Sequence, residues 1–355
     1  MELNPSFTPL KFLNHKKELE ESSSKELNPF PVEVFPKDSD DFGLFCVKNG
    51  NEWIEQAKGR PVPKMLFSEF WHEQELCILF ADTNLGKSIL AVQIADSVSK
   101  GEPIQGFKLE AEAQKVLYFD FELSDKQFEN RYSENFEKHH LWDENFLRVE
   151  INPNADFSDN QTFEDYLNES LERTITQTGA RILIIDNLTY LKNETEKAKD
   201  ALPLMKHLKA LKSKFGLSIL ALAHTPKRDL TKPISRNDLS GSKMLMNFID
   251  SCFSIGESHS DKNLRYIKQI KERHTEKIYD AENVLVCQVH KPSNFLHFEF
   301  IGFGTEREHL KELTEKDRET NISKAKELSQ QGKSQRAIAA DLGISVGAVN
   351  KYLKL

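Results

Sequence analysis

Residues 76–95 read LCILFADTNLGKSILAVQIA, and the fold of the chain turns on how this stretch is read. Leu76 to Phe80 form a short apolar run. Ala81, Asp82, Thr83, Asn84, Leu85, Gly86, Lys87 and Ser88 follow, and then Ile89, Leu90, Val92, Ile94 and Ala95 recur at helical spacing. Strand, tight loop and helix in that order are the context of a phosphate-binding loop. Backbone N–H groups wrap an anion at the positive end of a helix, a lysine adds a mobile charge, and a hydroxyl reaches the metal riding on the phosphates. The pattern assigns Ala81 through Ile89 to the nucleotide cradle, Lys87 to the β and γ phosphates, and Ser88 to Mg²⁺. Ala81 stands where the usual motif has its first glycine, and no second glycine precedes Gly86. Asn84 tolerates the left-handed conformation better than most residues, so the loop can still close. The bland alternative is a chance Gly-Lys-Ser after a strand.

Working outward, apolar runs alternate with helical patterns. Lys115 to Phe121 and Phe146 to Ile151 read as strands, and Arg181 to Asp186 and Leu217 to Ala223 as strands too apolar to have an exposed face. Phe163 to Thr178 and Leu202 to Phe215 read as helices, as does Ser124 to His140, with Phe128, Tyr132 and Phe136 on one side. Buried strands alternating with helices imply an α/β fold with a mostly parallel sheet. Ser251 to Ile255, Asn263 to Ile270, Val284 to His290 and Asn294 to Phe300 suggest added strands, the last three antiparallel. A short helix is expected at Asn51 to Lys58, ended by Pro61 and Pro63.

The length of 355 residues suits one large α/β domain plus something smaller. Cys77, Cys252 and Cys287 sit in apolar runs, which reads as reduced core thiols in a cytosolic protein rather than a disulfide or zinc framework. No apolar stretch approaches the roughly 20 residues that span a bilayer. The formal charge of -8 argues against a surface that coats nucleic acid, so any such contact must come from local basic patches. The expected organisation is a polar arm at 1–50, a catalytic domain at 51–304, a charged linker at 305–320 and a small helical unit at 321–355.

Three strand tips carry candidate chemistry. Asp186 closes the most apolar strand and suits the metal partner of Ser88; a turn aspartate is the alternative. Glu122 lies just past another strand end, where a carboxylate can orient the water that attacks a phosphoryl group, with Asp120 as its competitor. His224 ends a third strand and can contact a terminal phosphate. Lys271 and Arg273 close a further run, where they are either a surface pair or a charge supplied to an adjacent subunit.

In this order the phosphate loop, Glu122, the Ile-Ile-Asp-Asn ending at Asn187, His224, the Leu-Ser-Gly-Ser at 239–242 and Lys271-Glu272-Arg273 resemble the RecA-type ATPases. Within these the chain is most similar to the hexameric helicases of the plasmid RepA and bacterial DnaB kind and to related ATPases of mobile elements. The resemblance covers about residues 51–304. It implies a RecA-like core that binds ATP and Mg²⁺, with Lys87 and Ser88 on the nucleotide, Glu122 as catalytic base, and Asp186 on the metal. It further implies His224 as γ-phosphate sensor, Lys271 and Arg273 as a finger into the neighbouring subunit, and a homo-oligomeric, hexameric ring. Residues 225–241, with Lys227, Arg228, Lys232 and Arg236, would then face a channel that grips single-stranded DNA; a surface loop is the alternative.

The tail reads as three helices. Ser334 caps the second, with Ala337, Ile338, Ala340 and Leu342 inward; Gly343 makes the turn, and Ser345 caps the third, with Val346, Val349 and Leu353 inward. This resembles the helix-turn-helix at the end of resolvases and invertases. Arg336, Ser345, Gly347, Asn350 and Lys351 are the expected duplex DNA contacts, and a protein-binding bundle is the rival. The expected function is a helicase or translocase. The alternatives are a recombination or loading ATPase that binds DNA without unwinding it, and a nucleotide-switched regulator.

Overall fold

The computed structural model describes residues 41–42, 45–155, 162–188, 190, 201–226, 228–240, 242–312 and 315–355. Most of the polar arm and Lys227 lie outside the described residues. Contacts divide the chain between Val62 and Pro63. In the first unit the strands Asp41–Phe42 and Phe45–Cys46 pair antiparallel, and helix Gly50–Lys58 starts at a reciprocal cap in which Asn49 accepts from the Glu52 amide at 3.0 Å.

The second unit is built on a nine-stranded sheet. Its strands are β1 (Leu76–Ala81), β2 (Val116–Asp120), β3 (Phe146–Val149), β4 (Ile182–Asp186), β5 (Ser218–His224), β6 (Ser251–Glu257), β7 (Leu264–Lys271), β8 (Val284–His290) and β9 (His297–Gly304). The spatial order is β9-β8-β7-β6-β1-β5-β4-β2-β3, parallel from β6 through β3 and antiparallel from β6 out to β9. The α/β expectation and the added antiparallel strands are therefore what the chain forms.

In the central strands both faces are buried, as the apolar runs require. In β1 the residues alternate: Cys77, Leu79 and Ala81 pack under helix α1 (Lys87–Lys100), while Leu76, Ile78 and Phe80 pack under α2 (Phe163–Thr178) and α3 (Ala201–Phe215). The same period of two runs through β4, where Ile182 and Ile184 face α1 and Leu183 and Ile185 face the other layer. Every α1-side position at a strand tip consequently points toward the start of α1, and that fixes the site.

Several expectations change. The helix expected at 124–140 stops at Arg131, because Asn135 and Phe136 take left-handed backbone angles (φ 54° and 61°) and Lys138–His139 pairs back on Ser133–Glu134. Tyr132 is buried beside Trp142 and Phe295, whereas Phe136 is exposed. The run from Glu306 is not uniformly solvated: Glu306 is fully buried, accepting from the Ile234 amide at 2.6 Å and from Tyr266 Oη at 3.2 Å and pairing with Lys268. The first tail helix, α4 (Glu315–Gln330), starts before Ile322.

Helices α5 (Gln335–Leu342) and α6 (Val346–Leu353) complete the tail. Ser334 and Ser345 cap them, accepting from the Ala337 and Ala348 amides at 3.3 and 3.1 Å, and Gly343 makes the left-handed turn (φ 66°). The interior is Ala325, Ile338, Ala339, Val349 and Tyr352. Ala337, Ala340 and Val346, expected inward, are exposed: the inward face of α5 runs through Ile338, Ala339 and Leu342, and on α6 Tyr352 joins Val349.

Candidate active site

The phosphate loop closes through two left-handed residues, Asn84 (φ 64°) and Gly86 (φ 92°). Ala81 and Leu85 are buried, Thr83 and Asn84 are exposed, and Asp82, Gly86, Ser88 and Ile89 are half-buried. A Cβ on Gly86 would sit 2.9 Å from a ring carbon of Phe298. Gly86 is thus required twice, by its backbone angle and by the aromatic ring against it. Phe298 is itself held by Gln93 of α1, whose side-chain amide donates to the Phe298 carbonyl at 3.0 Å and accepts from its N–H at 2.9 Å. No local pattern marks Phe298 as part of the loop, because the contact spans 205 positions.

Lys87 is buried, and its ammonium donates to the carbonyls of Ala81 and Asp82, both at 3.0 Å. Burial lowers its pKa, and the charges of Asp186, Glu122 and Asp82 oppose that shift. Both acidic candidates therefore act on the lysine amine, as a phosphate site with a metal position requires.

Asp186 lies at the tip of β4 opposite Asp120 of β2, and His224 at the tip of β5 opposite Ala81 of β1. Asp186 is 1% exposed, accepts from Tyr118 Oη at 2.7 Å, and is hydrogen-bonded by Ser88. Burial outweighs these bonds and pushes its carboxyl up to about 6, with Glu122 and Asp120 adding repulsion. A hydroxyl and a carboxylate, both hard oxygen donors beside a phosphate loop, fit Mg²⁺. The peptide after Asp186 is cis.

Beyond it, Asn187 links the other two tips. Its side-chain nitrogen donates to Glu122 and lies 3.2 Å from His224 Nε2, and that imidazole nitrogen is 3.8 Å from Glu122 Oε1. His224 beside it, together with Asn187 and Lys87, holds the Glu122 carboxyl below its usual range against the opposing effect of burial. Asp120 has a different place. One of its oxygens accepts from the Glu122 and Leu123 amides at 3.2 and 3.0 Å, and the other receives Arg148 Nε at 2.9 Å. It shapes the turn that presents Glu122. Arg148, which also donates to the Leu123 carbonyl at 2.8 Å, is a supporting residue that its exposed-looking position in the sequence did not reveal.

Lys271 and Arg273 stand elsewhere. Lys271 pairs in register with Cys252, which pairs with Ile78 near the start of β1, so both lie at the sheet end opposite Lys87. Lys271 donates to the Met246 and Ile249 carbonyls at 2.5 and 2.6 Å, and Arg273 is 3.4 Å from Asp250. Arg236, Lys271, Arg273 and Lys277 line one concave surface there.

The segment after β5 is pinned. Thr225 N–H donates to the Ala81 carbonyl at 3.2 Å, Ile234 and Leu239 are buried, and Lys268 donates to the Ile234 carbonyl at 2.8 Å. Arg228 turns inward to the Lys232 carbonyl at 2.5 Å and to Tyr266, Lys232 pairs with Asp229 at 3.1 Å, and Arg236 is exposed. On the tail Arg336, Ser345, Gly347, Asn350 and Lys351 are all exposed.

No curated protein matches the chain. Among solved structures, a KaiC-like protein from the archaeon Pyrococcus horikoshii aligns at 14% identity and a TM-score of 0.45, over 67% of this chain and 100% of that one. The family described as AAA domain matches residues 47–229, from before helix Gly50–Lys58 to just past the tip of β5. That segment holds the phosphate loop, Glu122, Asp186 and His224 and spans just over half of the sequence, so the chain belongs to this AAA domain family of P-loop ATPases.

Proposed function

We propose that this ATPase is a DNA-acting motor of the helicase or translocase type, working as a head-to-tail ring. The observation that carries the reading is the separation of its charges. Glu122, Asp186 and Lys87 meet at one end of the sheet, while Lys271 and Arg273 share a basic concavity with Arg236 and Lys277 at the other. Cations that cannot reach their own phosphate loop suit a neighbour's, and a head-to-tail contact that closes makes a ring.

Within one site, Lys87 binds the β and γ phosphates through an amine already surrounded by acceptors. Glu122 is charged at neutral pH and is oriented by Asn187 and His224, so it polarises the water placed in line with the γ-phosphorus. Because Asn187 also lies within reach of His224, loss of the γ-phosphate from His224 is felt at Glu122. Ser88 and Asp186 would hold Mg²⁺, which supplies positive charge across the phosphates. Among the described residues of 225–240, Lys232 and Arg236 are the exposed cations suited to a single strand, and the exposed Arg336, Asn350 and Lys351 suit duplex. A recombination or loading ATPase that hydrolyses without unwinding is the second reading, supported by the two short capped helices that meet at Gly343 in the tail.

The test is ATP hydrolysis with and without single-stranded DNA, for the parent, Lys87→Ala and Lys232→Glu/Arg236→Glu. Lys87→Ala loses roughly 100-fold or more of the rate. The double reversal keeps basal hydrolysis and loses the stimulation by DNA. A parent rate indifferent to DNA removes the motor reading, and forked-duplex unwinding separates it from the loading reading.

A further inference from the structure

We propose a second, distinct metal site: a divalent transition ion of the zinc class, held by His72, Glu75 and Glu272 at the end of the sheet away from the phosphate loop. The donor atoms of these three residues all lie within 4.8 Å of one another. His72 closes the strand Trp71–His72, Glu75 immediately precedes β1, and Glu272 follows β7, so three chain segments converge on one point.

Two unsatisfied atoms distinguish this cluster from an ordinary buried polar network. His72 is 2% exposed and its Nδ1 has no hydrogen-bond partner; the Glu75 oxygen at 4.0 Å is too far to be one. Glu272 Oε2 is likewise buried and unpartnered, although its Oε1 accepts from the Arg273 and His274 amides, both at 2.9 Å. Buried polar atoms without partners are costly, so such atoms call for a ligand. A cation satisfies both together.

The donor set selects the ion. One imidazole nitrogen with two carboxylates suits zinc and its neighbours rather than Mg²⁺ or Ca²⁺, which take oxygen alone. Metal–donor distances of about 2.0–2.2 Å require the three groups to draw in by roughly 1 Å. The His72 ring gives up no Nδ1 hydrogen bond in doing so, and the Glu272 carboxylate can turn about its anchored Oε1. Glu75 is the fixed member, anchored by Ser251 Oγ at 2.7 Å and the His72 amide at 3.1 Å, which is the outer-shell support expected of a ligand. The ring of His274, 4.6 Å from that of His72 between centroids, adjoins the cluster.

Position gives the site its role. Glu272 lies between Lys271 and Arg273, so an ion here clasps the segment carrying those two cations to the entry of β1. The site is independent of nucleotide chemistry and of the DNA reading.

The experiment is a Co²⁺ titration of the full chain after chelator treatment, followed by the visible d–d absorption and competed with Zn²⁺. One equivalent per chain is expected, with Zn²⁺ displacing it and raising the melting temperature. Glu272→Gln and His72→Gln should each weaken Co²⁺ binding at least about tenfold, with Glu272→Gln the variant that keeps the fold because its side chain is only half-buried. Asp186→Asn, at the other oxygen site, should leave the spectrum unchanged. Absence of a stoichiometric spectrum, or equal affinity in parent and Glu272→Gln, overturns the site and leaves water as the occupant.

Discussion

Burial pushes the Asp186 carboxyl up to about 6, and the bonds from Tyr118 and Ser88 offset that only in part. A carboxyl raised above its unfolded value favours folding below that value, and the benefit is lost as pH rises through the folded one. Above pH 6 the charged form is therefore held at a cost that a bound cation would offset. Asp186→Asn should abolish hydrolysis yet stabilise the ligand-free protein by roughly 2 kcal/mol at pH 8, a gain that shrinks below pH 6. Melting temperatures of both proteins across pH 5–8 check this. Gly86→Ala should act in the opposite sense, losing nucleotide binding and folding stability together, since the new methyl meets Phe298 at a left-handed backbone position. Asp186, Glu122 and His224 were legible in the sequence because each ends an apolar strand, and a parallel sheet gathers such ends. Asn187 was visible in its motif, but its links to Glu122 and His224 were not, nor were Arg148 and Phe298, because these contacts run across strands that no local spacing encodes.

Among elements, residues 228–240 show how a polar stretch is tied down. Polar composition with prolines reads as a loose loop, but the buried Glu306 ties Ile234, Tyr266 and Lys268 into one knot from a region that looked like linker. Removing one partner of such a pair leaves an uncompensated buried charge, so Glu306→Ala should cost about 3–5 kcal/mol. Replacing both as Glu306→Leu and Lys268→Met should recover most of it, as denaturant unfolding would show. The hairpin at 133–139 teaches the same lesson. Phe128, Tyr132 and Phe136 had helical spacing, but burying Tyr132 against Trp142 and Phe295 overrode it. Strands buried on both faces were the most legible elements, since only a covered parallel sheet accommodates such runs.

For the whole molecule, the ring reading makes a quantitative claim. Glu122→Gln subunits retain the finger, and Arg273→Ala subunits retain the base, so neither variant hydrolyses ATP alone. Mixed in equal amounts, roughly a quarter of the sites would combine an intact Glu122 with an intact neighbouring Arg273, given a head-to-tail contact. Recovery of about that fraction of parental activity is expected, and a mixture as inactive as its components would show that Arg273 serves no neighbour.

The clamp between Gln93 and Phe298 has a bearing on biosynthesis. Phe298 forms one wall of the phosphate loop but emerges from the ribosome some 200 residues after it. A nascent chain can complete every parallel strand and still lack the surface against which Gly86 must close. Nucleotide competence therefore arrives only when the last edge strand docks, and ATP capture by ribosome-stalled chains of increasing length would switch on at that strand, long after the loop's own codons have been read.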